Sequence, residues 1–395
     1  MYTVRGLLRH REYVVVLGGF AGTALASTLT AVALAVLVFE RTGSPLLSGL
    51  ALASGSLPYL VGAVFLLAYA DRLPPRRALA AIGALQAAAI AVLATGRLAP
   101  AAMLVVMLAL GAVLPVGTAA RSGLLPDLLP EDAYVLGRAV YNMTGYVTQL
   151  AGYAAGGLVL TAAGPGTALW VAAALAAGAG LTSTALRPRP ARGGSDGTDG
   201  SDGAVWRQTW RTNRRLLADP AVRGLLLAHW LPMAAASGAE GAFVPYAAAH
   251  GPAALASALF WAGAAGMLAG DLVFGRFLTP ERQDRCTLAA AVLLGVPLLL
   301  FAVGPPVLAA AGLCFAAFLG MSYHLGLQRR FLAAVPVEAR GQGFGLLLTG
   351  IVTTQGATLV AGGALAEVWP PGVVVAVFGA AVLAGVAVLR RQLRP

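Results

Sequence analysis

The stretch RPRPARGGSDGTDGSDG, residues 187–203, is a polar break in an otherwise apolar chain. Its Pro, Gly, Ser and Asp favour solvated, irregular backbone over a packed helix, so it reads as a flexible linker. After it, Trp206–Leu217 mixes Arg with Trp and Leu, the pattern of a short amphipathic helix lying on a membrane surface. On either side the chain returns to apolar runs, and six can be drawn in each direction. They are 13–38, 46–70, 78–95, 101–119, 139–162 and 167–186 before the break, and 221–248, 253–276, 286–303, 306–327, 341–365 and 371–389 after it. Each run is about 18–28 residues, enough for a helix to cross ~30 Å of hydrocarbon at ~1.5 Å per residue. The expected organisation is a six-helix bundle over 1–186, a cytoplasmic linker over 187–220 and a second six-helix bundle over 221–395.

Composition agrees with that division. Of 395 residues, 58% are hydrophobic and 11% charged, and mean hydropathy is +0.79. A soluble domain carries about 25% charged residues, so the class is an all-α polytopic membrane protein. The net charge of +11 would point to nucleic acid in a soluble protein. Here the charge is topological. All the basic residues are Arg, and numbering the connections alternately in and out puts all but Arg41 and Arg97 on one side. Positive charge stays on the cytoplasmic side of inserted proteins, so both termini are expected there. The same residues can meet anionic lipid. The first apolar run continues without a small-residue cleavage site and is expected to remain as a helix. Absence of Lys with abundant Ala, Gly and Arg suggests a bacterial genome rich in G and C, hence the bacterial cytoplasmic membrane. Cys286 and Cys314 give no disulfide case, and the four His show no metal-ligand spacing. A phosphate loop of the Gly-Lys-Ser type cannot exist without Lys, so no nucleotide or other cofactor is expected.

The two halves share a register. Thr148-Gln149 and Gly156-Gly157 recur as Thr354-Gln355 and Gly362-Gly363, at one fixed offset. Pro130 and Pro336, Asp132 and Glu338, and Gly137 and Gly343 keep it. A six-plus-six parallel repeat is the internal symmetry of many secondary transporters.

Several segments resemble one family. Ala70-Asp71-Arg72-Leu73-Pro74-Pro75-Arg76-Arg77, between the second and third runs, is similar to the Asp-Arg-x-Gly-Arg-Arg loop of the major facilitator superfamily. Arg9-His10-Arg11-Glu12-Tyr13, Glu40-Arg41-Thr42-Gly43-Ser44, Leu125-Pro126-Asp127-Leu128-Leu129-Pro130, Ala239–Tyr246 and Phe331–Gly345 resemble segments of its bacterial drug-exporter-like members. The likeness spans nearly the whole chain. It implies a twelve-helix fold in two pseudo-symmetric bundles. It also implies a cytoplasmic latch that uses Asp71, Arg72, Arg76 and Arg77 with the start of the eleventh run at Arg340, and a degenerate second latch at Asp271 and Arg276. The chain departs from the family at Pro74 and Pro75 in the loop. It also reads Ala-Ala-Gly-Gly at 154–157, where a Gly-Pro-x-x-Gly-Gly pattern accompanies antiport.

The candidate functional residues are polar groups inside apolar runs. Glu240 lies in the outer half of the seventh run, where a carboxylate costs ~3 kcal/mol or more unless it faces a cavity or partner. It is a candidate for proton coupling or substrate contact; the alternative is a capping role where Pro245 frees backbone. His229, eleven residues earlier, shares nearly the same helical face. Arg121 ends the fourth run; the resemblance offers proton relay, and its position alone offers an ordinary inner-loop charge. Asn142, Tyr146, Gln149 and Tyr153 form a stripe in the fifth run, with Gly145, Gly152 and Gly156 beside it for close helix contact. With Gln355 in the other half, they are expected to line a cavity for a bulky, partly apolar solute. The expected activity is proton-coupled efflux of a hydrophobic or amphiphilic small molecule by a monomer, with no enzyme chemistry. Uptake or facilitated diffusion of a metabolite, or a non-transporting sensor on the same fold, are the alternatives.

Overall fold

A computed structural model describes residues 4–58, 73–190, 202–336 and 339–393, without the side chains of 4–5, 131–132, 135 and 202–209. Every regular element among the described residues is helical. The chain divides into two compact units, Met1–Ser195 and Asp196–Pro395. Transmembrane helices account for most of both: among the described residues, nine helices are long and apolar enough to cross a membrane.

The first unit runs α1 (Arg11–Thr42), α2 (Pro45–Ala53), α3 (Pro75–Ala94), α4 (Pro100–Leu128) and α5 (Glu131–Thr182). Helix α1 stops at Gly43, whose φ of 67° and N–H bond to the Phe39 carbonyl close the last turn. Ser44 then starts α2 by accepting from the Leu47 N–H at 3.2 Å. The second unit runs α6 (Asp202–Ala218), α7 (Pro220–Glu240), α8 (Phe243–His250), α9 (Ala256–Phe277), α10 (Pro280–Leu299), α11 (Val307–Leu319), α12 (Tyr323–Ala334), α13 (Arg340–Ala366) and α14 (Pro371–Val388). Asp219 caps α7 by accepting from the Ala221 and Val222 N–H groups.

Nine long apolar helices differ from twelve apolar runs for local reasons. The fifth and sixth runs form the continuous segment α5, bent at Gly164, where φ is 78° and Pro165 follows. A left-handed glycine before a proline ends one helical direction and starts another. The seventh run is divided after Glu240 into α7 and α8. Most of the second run, from residue 59 onward, lies outside the described residues.

Glycine sets how closely helices pack. Helix α1 lies on the glycine face of α5: a Cβ at Gly152 would sit 2.9 Å from Thr28 Cβ, and one at Gly156 would sit 3.2 Å from Leu29. In the second unit, a Cβ at Gly362 of α13 would overlap the Gly238 carbonyl of α7. The repeat is therefore visible in contacts. Thr148 donates to the carbonyls of Thr144 and Gly145, while Thr354 donates to those of Gly350 and Ile351, the matching positions. Gly137 faces Leu129, and Gly343 faces Val335, again in register.

Candidate functional site

The stripe on α5 is graded in exposure. Asn142 and Tyr146 are exposed, whereas Gln149 and Tyr153 are half-buried. Gln149 Nε2 donates to the Tyr153 hydroxyl at 3.4 Å, so these two act as a pair. Behind the stripe, Tyr141 stacks on Phe20 of α1 with ring centroids 4.2 Å apart. Gln355, on α13 of the second unit, is half-buried.

Arg121 does not sit in a loop. Helix α4 continues to Leu128, and the Arg121 side chain turns into the first unit with 7% of its surface exposed. Its Nη2 donates to Thr23 Oγ1 of α1 at 2.6 Å, and that hydroxyl donates to the Gly19 carbonyl at 2.7 Å. No carboxylate among the described residues pairs with it. A guanidinium has five donors, so the site retains unused donor capacity in a buried place. The reading of Arg121 as an ordinary inner-loop charge is corrected by this depth. A hydropathy window ends at the first charge, but a helix does not.

Glu240 is the last residue of α7, at the break before α8. It is half-buried, and its carboxylate makes no hydrogen bond or ion pair among the described residues. The turn is closed by backbone bonds instead, Gly241 N–H to Ser237 and Ala242 N–H to Ala239. The carboxylate therefore does not cap the break.

His229 is enclosed. It is 3% exposed, its Nδ1 lies 2.9 Å from the Leu225 carbonyl, and its ring meets Phe331 edge-on at 6.2 Å. Tyr323 donates to its backbone carbonyl at 3.0 Å. The Phe331 and Tyr323 contacts tie α7 to α12.

Of the charged loop, Asp71 and Arg72 lie outside the described residues. Arg76 is half-buried and Arg77 exposed in the first turn of α3; Arg276 ends α9 and Arg340 begins α13, both exposed. Asp271 does not join Arg276. It faces His324 of α12, with Oδ1 to Nδ1 at 3.9 Å.

Charged clamps that the sequence reading missed sit at helix ends. Glu12 of α1 pairs with Arg189 at 2.7 Å and also accepts from the Arg187 N–H at 2.7 Å. The Arg189 guanidinium, through its side-chain hydrogen bonds, holds the Glu12 carboxyl below its ordinary value. Asp284 of α10 takes Arg329 at 3.0 Å and Arg330 at 3.3 Å from α12. A carboxylate just inside a basic helix end was the available signal for both. On α6, Leu216 is buried, while Trp210 is exposed, and Asn213 accepts from Gln342 of α13 at 3.1 Å.

Inside the first unit, α1, α2, α3, α4 and Tyr153 of α5 line a partly open cavity of about 220 Å³. Gln86, which sequence reasoning also missed, is one of its walls.

A family model described as Major Facilitator Superfamily matches residues 16–329. Comparison with curated proteins gives no match. Among solved structures the chain is similar to the nucleoside transporter NupG, at 15% identity and TM-score 0.70, over 96% of this chain and 98% of that one. It is also similar to a POT family transporter in complex with 5-aminolevulinic acid, at 11% identity and TM-score 0.73, over 96% of each chain. At these identities the likeness is one of fold.

Proposed function

We propose, for a chain that belongs to the major facilitator superfamily, that transport here is proton-coupled export of a hydrophobic or amphiphilic small molecule by alternating access. The family and fold make the protein a multi-pass membrane transporter and not an enzyme. The finer reading rests on Glu240. An isolated carboxylate at a helix break, in a membrane span and without a capping bond, has no structural task that its neighbours require. Such a group can take a proton on one side and release it on the other while substrate competes for the same space.

Asn142, Tyr146, Gln149 and Tyr153, with Gln355, are the residues proposed to meet the substrate. Their mixture of aromatic and amide groups suits a partly apolar solute. Arg121 is proposed to assist coupling through its unused donors, and His229 is proposed to hold the helix that carries Glu240. Arg76, Arg77, Arg276 and Arg340, together with Asp71 and Arg72, remain the proposed gate residues on the cytoplasmic side, with both termini there and a monomer as the working unit. Asp271 is proposed to belong with His324.

The test uses a bacterial strain stripped of its exporters, a panel of amphiphilic toxic compounds and a protonophore. Expression of the chain should raise resistance to some compounds, and the protonophore should abolish the gain. Glu240→Gln should insert normally and lose at least tenfold of the gain. Resistance that survives the protonophore would point to facilitated diffusion. Resistance that survives Glu240→Gln while still needing the gradient would remove Glu240 from the coupling step.

A further inference from the structure

Helix α6 has two unlike faces over the part whose side chains are described. On one, Leu216 is buried and Thr212 and Asn213 are half-buried. The helix packs against α7 and α13, and Gln342 Nε2, in the first turn of α13, donates to Asn213 Oδ1 at 3.1 Å. On the other face Trp210, Arg214 and Leu217 follow one another at i, i+4 and i+7. Trp210 is 62% exposed and Leu217 37%. Arg211 and Arg215, one turn apart, flank this face and are exposed, as is Arg214. None of the three guanidiniums pairs with a carboxylate among the described residues. Asp219, the nearest acid along the chain, uses its carboxylate to cap α7.

An exposed indole and leucine gain nothing from open water, and three unpaired Arg are costly against a dry protein surface. The edge of a bilayer suits both. There an indole rests at headgroup depth, an aliphatic side chain reaches the acyl boundary, and Arg meets phosphate through charge-assisted bonds. The position agrees. Helix α6 runs into α7 at Asp219 and lies beside the start of α13, which is long and apolar enough to cross a membrane. A helix at that level lies where hydrocarbon gives way to headgroups. Its charge there is of one sign, which selects anionic headgroups over zwitterionic ones.

We propose that α6 is a clamp controlled by anionic phospholipid: its outer face binds the headgroups of the adjacent leaflet, and its inner face passes that hold to the start of α13. Arg211, Arg214 and Arg215 take the lipid phosphates, while Trp210 and Leu217 enter the interface. The Asn213–Gln342 bond links the two faces of the device. With α6 held on the bilayer, the first turn of α13, which begins at Arg340, is held with it. The clamp lies within the second unit. It goes beyond the transport reading and does not depend on it, since a chain that moved no substrate would still gather anionic lipid there.

The full chain is reconstituted in vesicles of phosphatidylcholine and phosphatidylglycerol, with one lipid or the other brominated. The quenching that belongs to Trp210 is the part lost in Trp210→Phe. Brominated phosphatidylglycerol should quench it more than brominated phosphatidylcholine at equal mole fraction, by about twofold or more, because each Arg near the surface favours anionic lipid. Replacing Arg211, Arg214 and Arg215 together by Gln should erase that preference. Hydrogen exchange tests the link to α13. Adding phosphatidylglycerol should slow the amides of 210–218 and of 340–346 in the native chain, whereas Asn213→Leu should keep the first effect and lose the second. Unchanged exchange across α10 shows that the variants are folded. The proposal is overturned if Trp210 is quenched by neither lipid, which would place this face against water or protein, or by both equally. It is also overturned if the triple variant keeps the preference, or if 340–346 respond to the lipid alike in the native chain and in Asn213→Leu.

Discussion

Thr23→Val isolates the bond that holds the buried Arg121. Valine keeps the branched shape of threonine, so packing along α1 is preserved and the hydroxyl alone is lost. The bond to the Gly19 carbonyl is local to the helix, and its loss matters little. The bond from Arg121, at 2.6 Å, spans 98 residues and joins α1 to α4. Neutral interhelical bonds in membranes contribute ~0.6 kcal/mol and reach ~1.7. Hydrogen bonds to charged groups contribute ~1.5–3 kcal/mol. The two ranges meet near their shared limits, so Thr23→Val should destabilise the fold by about 1.5–2 kcal/mol. Arg121→Met removes the charge along with its need for a partner, and a long apolar side chain fills most of the space. Its cost should be smaller, below about 1 kcal/mol, because removing a buried charge entirely is milder than stranding it. In the double variant Thr23→Val should add almost nothing. The assay is a double-mutant cycle on reversible unfolding in mixed micelles, with transport measured on the same four proteins. Single effects that add within about 0.5 kcal/mol would refute the coupling, because independent sites behave that way. A charge kept for transport predicts one more result: Arg121→Met folds well and transports poorly.

Two other outcomes follow from the packing and from the helix ends. Gly266→Ala should lower stability by about 1–3 kcal/mol, since its Cβ would lie 2.2 Å from the Phe315 carbonyl oxygen, whereas Gly345→Ala, with nothing within 4 Å, should raise it by up to about 1 kcal/mol; thermal melts of both in one detergent decide this. The lowered Glu12 value means that its bond to Arg189 stabilises the fold fully at pH above the ordinary carboxylate value, and that this contribution fades as pH falls through the lowered one. Solvent screening at this open site limits the effect to no more than about 1 kcal/mol. Acid titration of stability should therefore differ between the native chain and Glu12→Gln, with the gap closing toward low pH; a gap that widens instead would reverse the assignment.

What could be read in advance depended on the distance over which each signal acts. Apolar runs and the glycine face of α5 are local, and a chain carries such information in consecutive residues. The repeat was legible because Thr148 and Thr354 meet the same need one turn back along their own helices. Glu240 stood out because an isolated carboxylate in an apolar run is conspicuous without knowledge of its neighbours. The depth of Arg121 could not be read between its two alternatives because Thr23 lies far away in the chain, and sequence proximity likewise hid His324 from Asp271. Gln86 carried only the cost of a lone amide in an Ala-rich helix: it has no periodic companion, and Ser27 lies 59 residues away. A polar group inside a membrane helix is thus legible as a cost. Which group shares that cost is decided by helices that meet only after folding. The three residues whose partners were invisible, Arg121, Asp271 and Gln86, are for that reason the ones where the structure adds most to the functional reading.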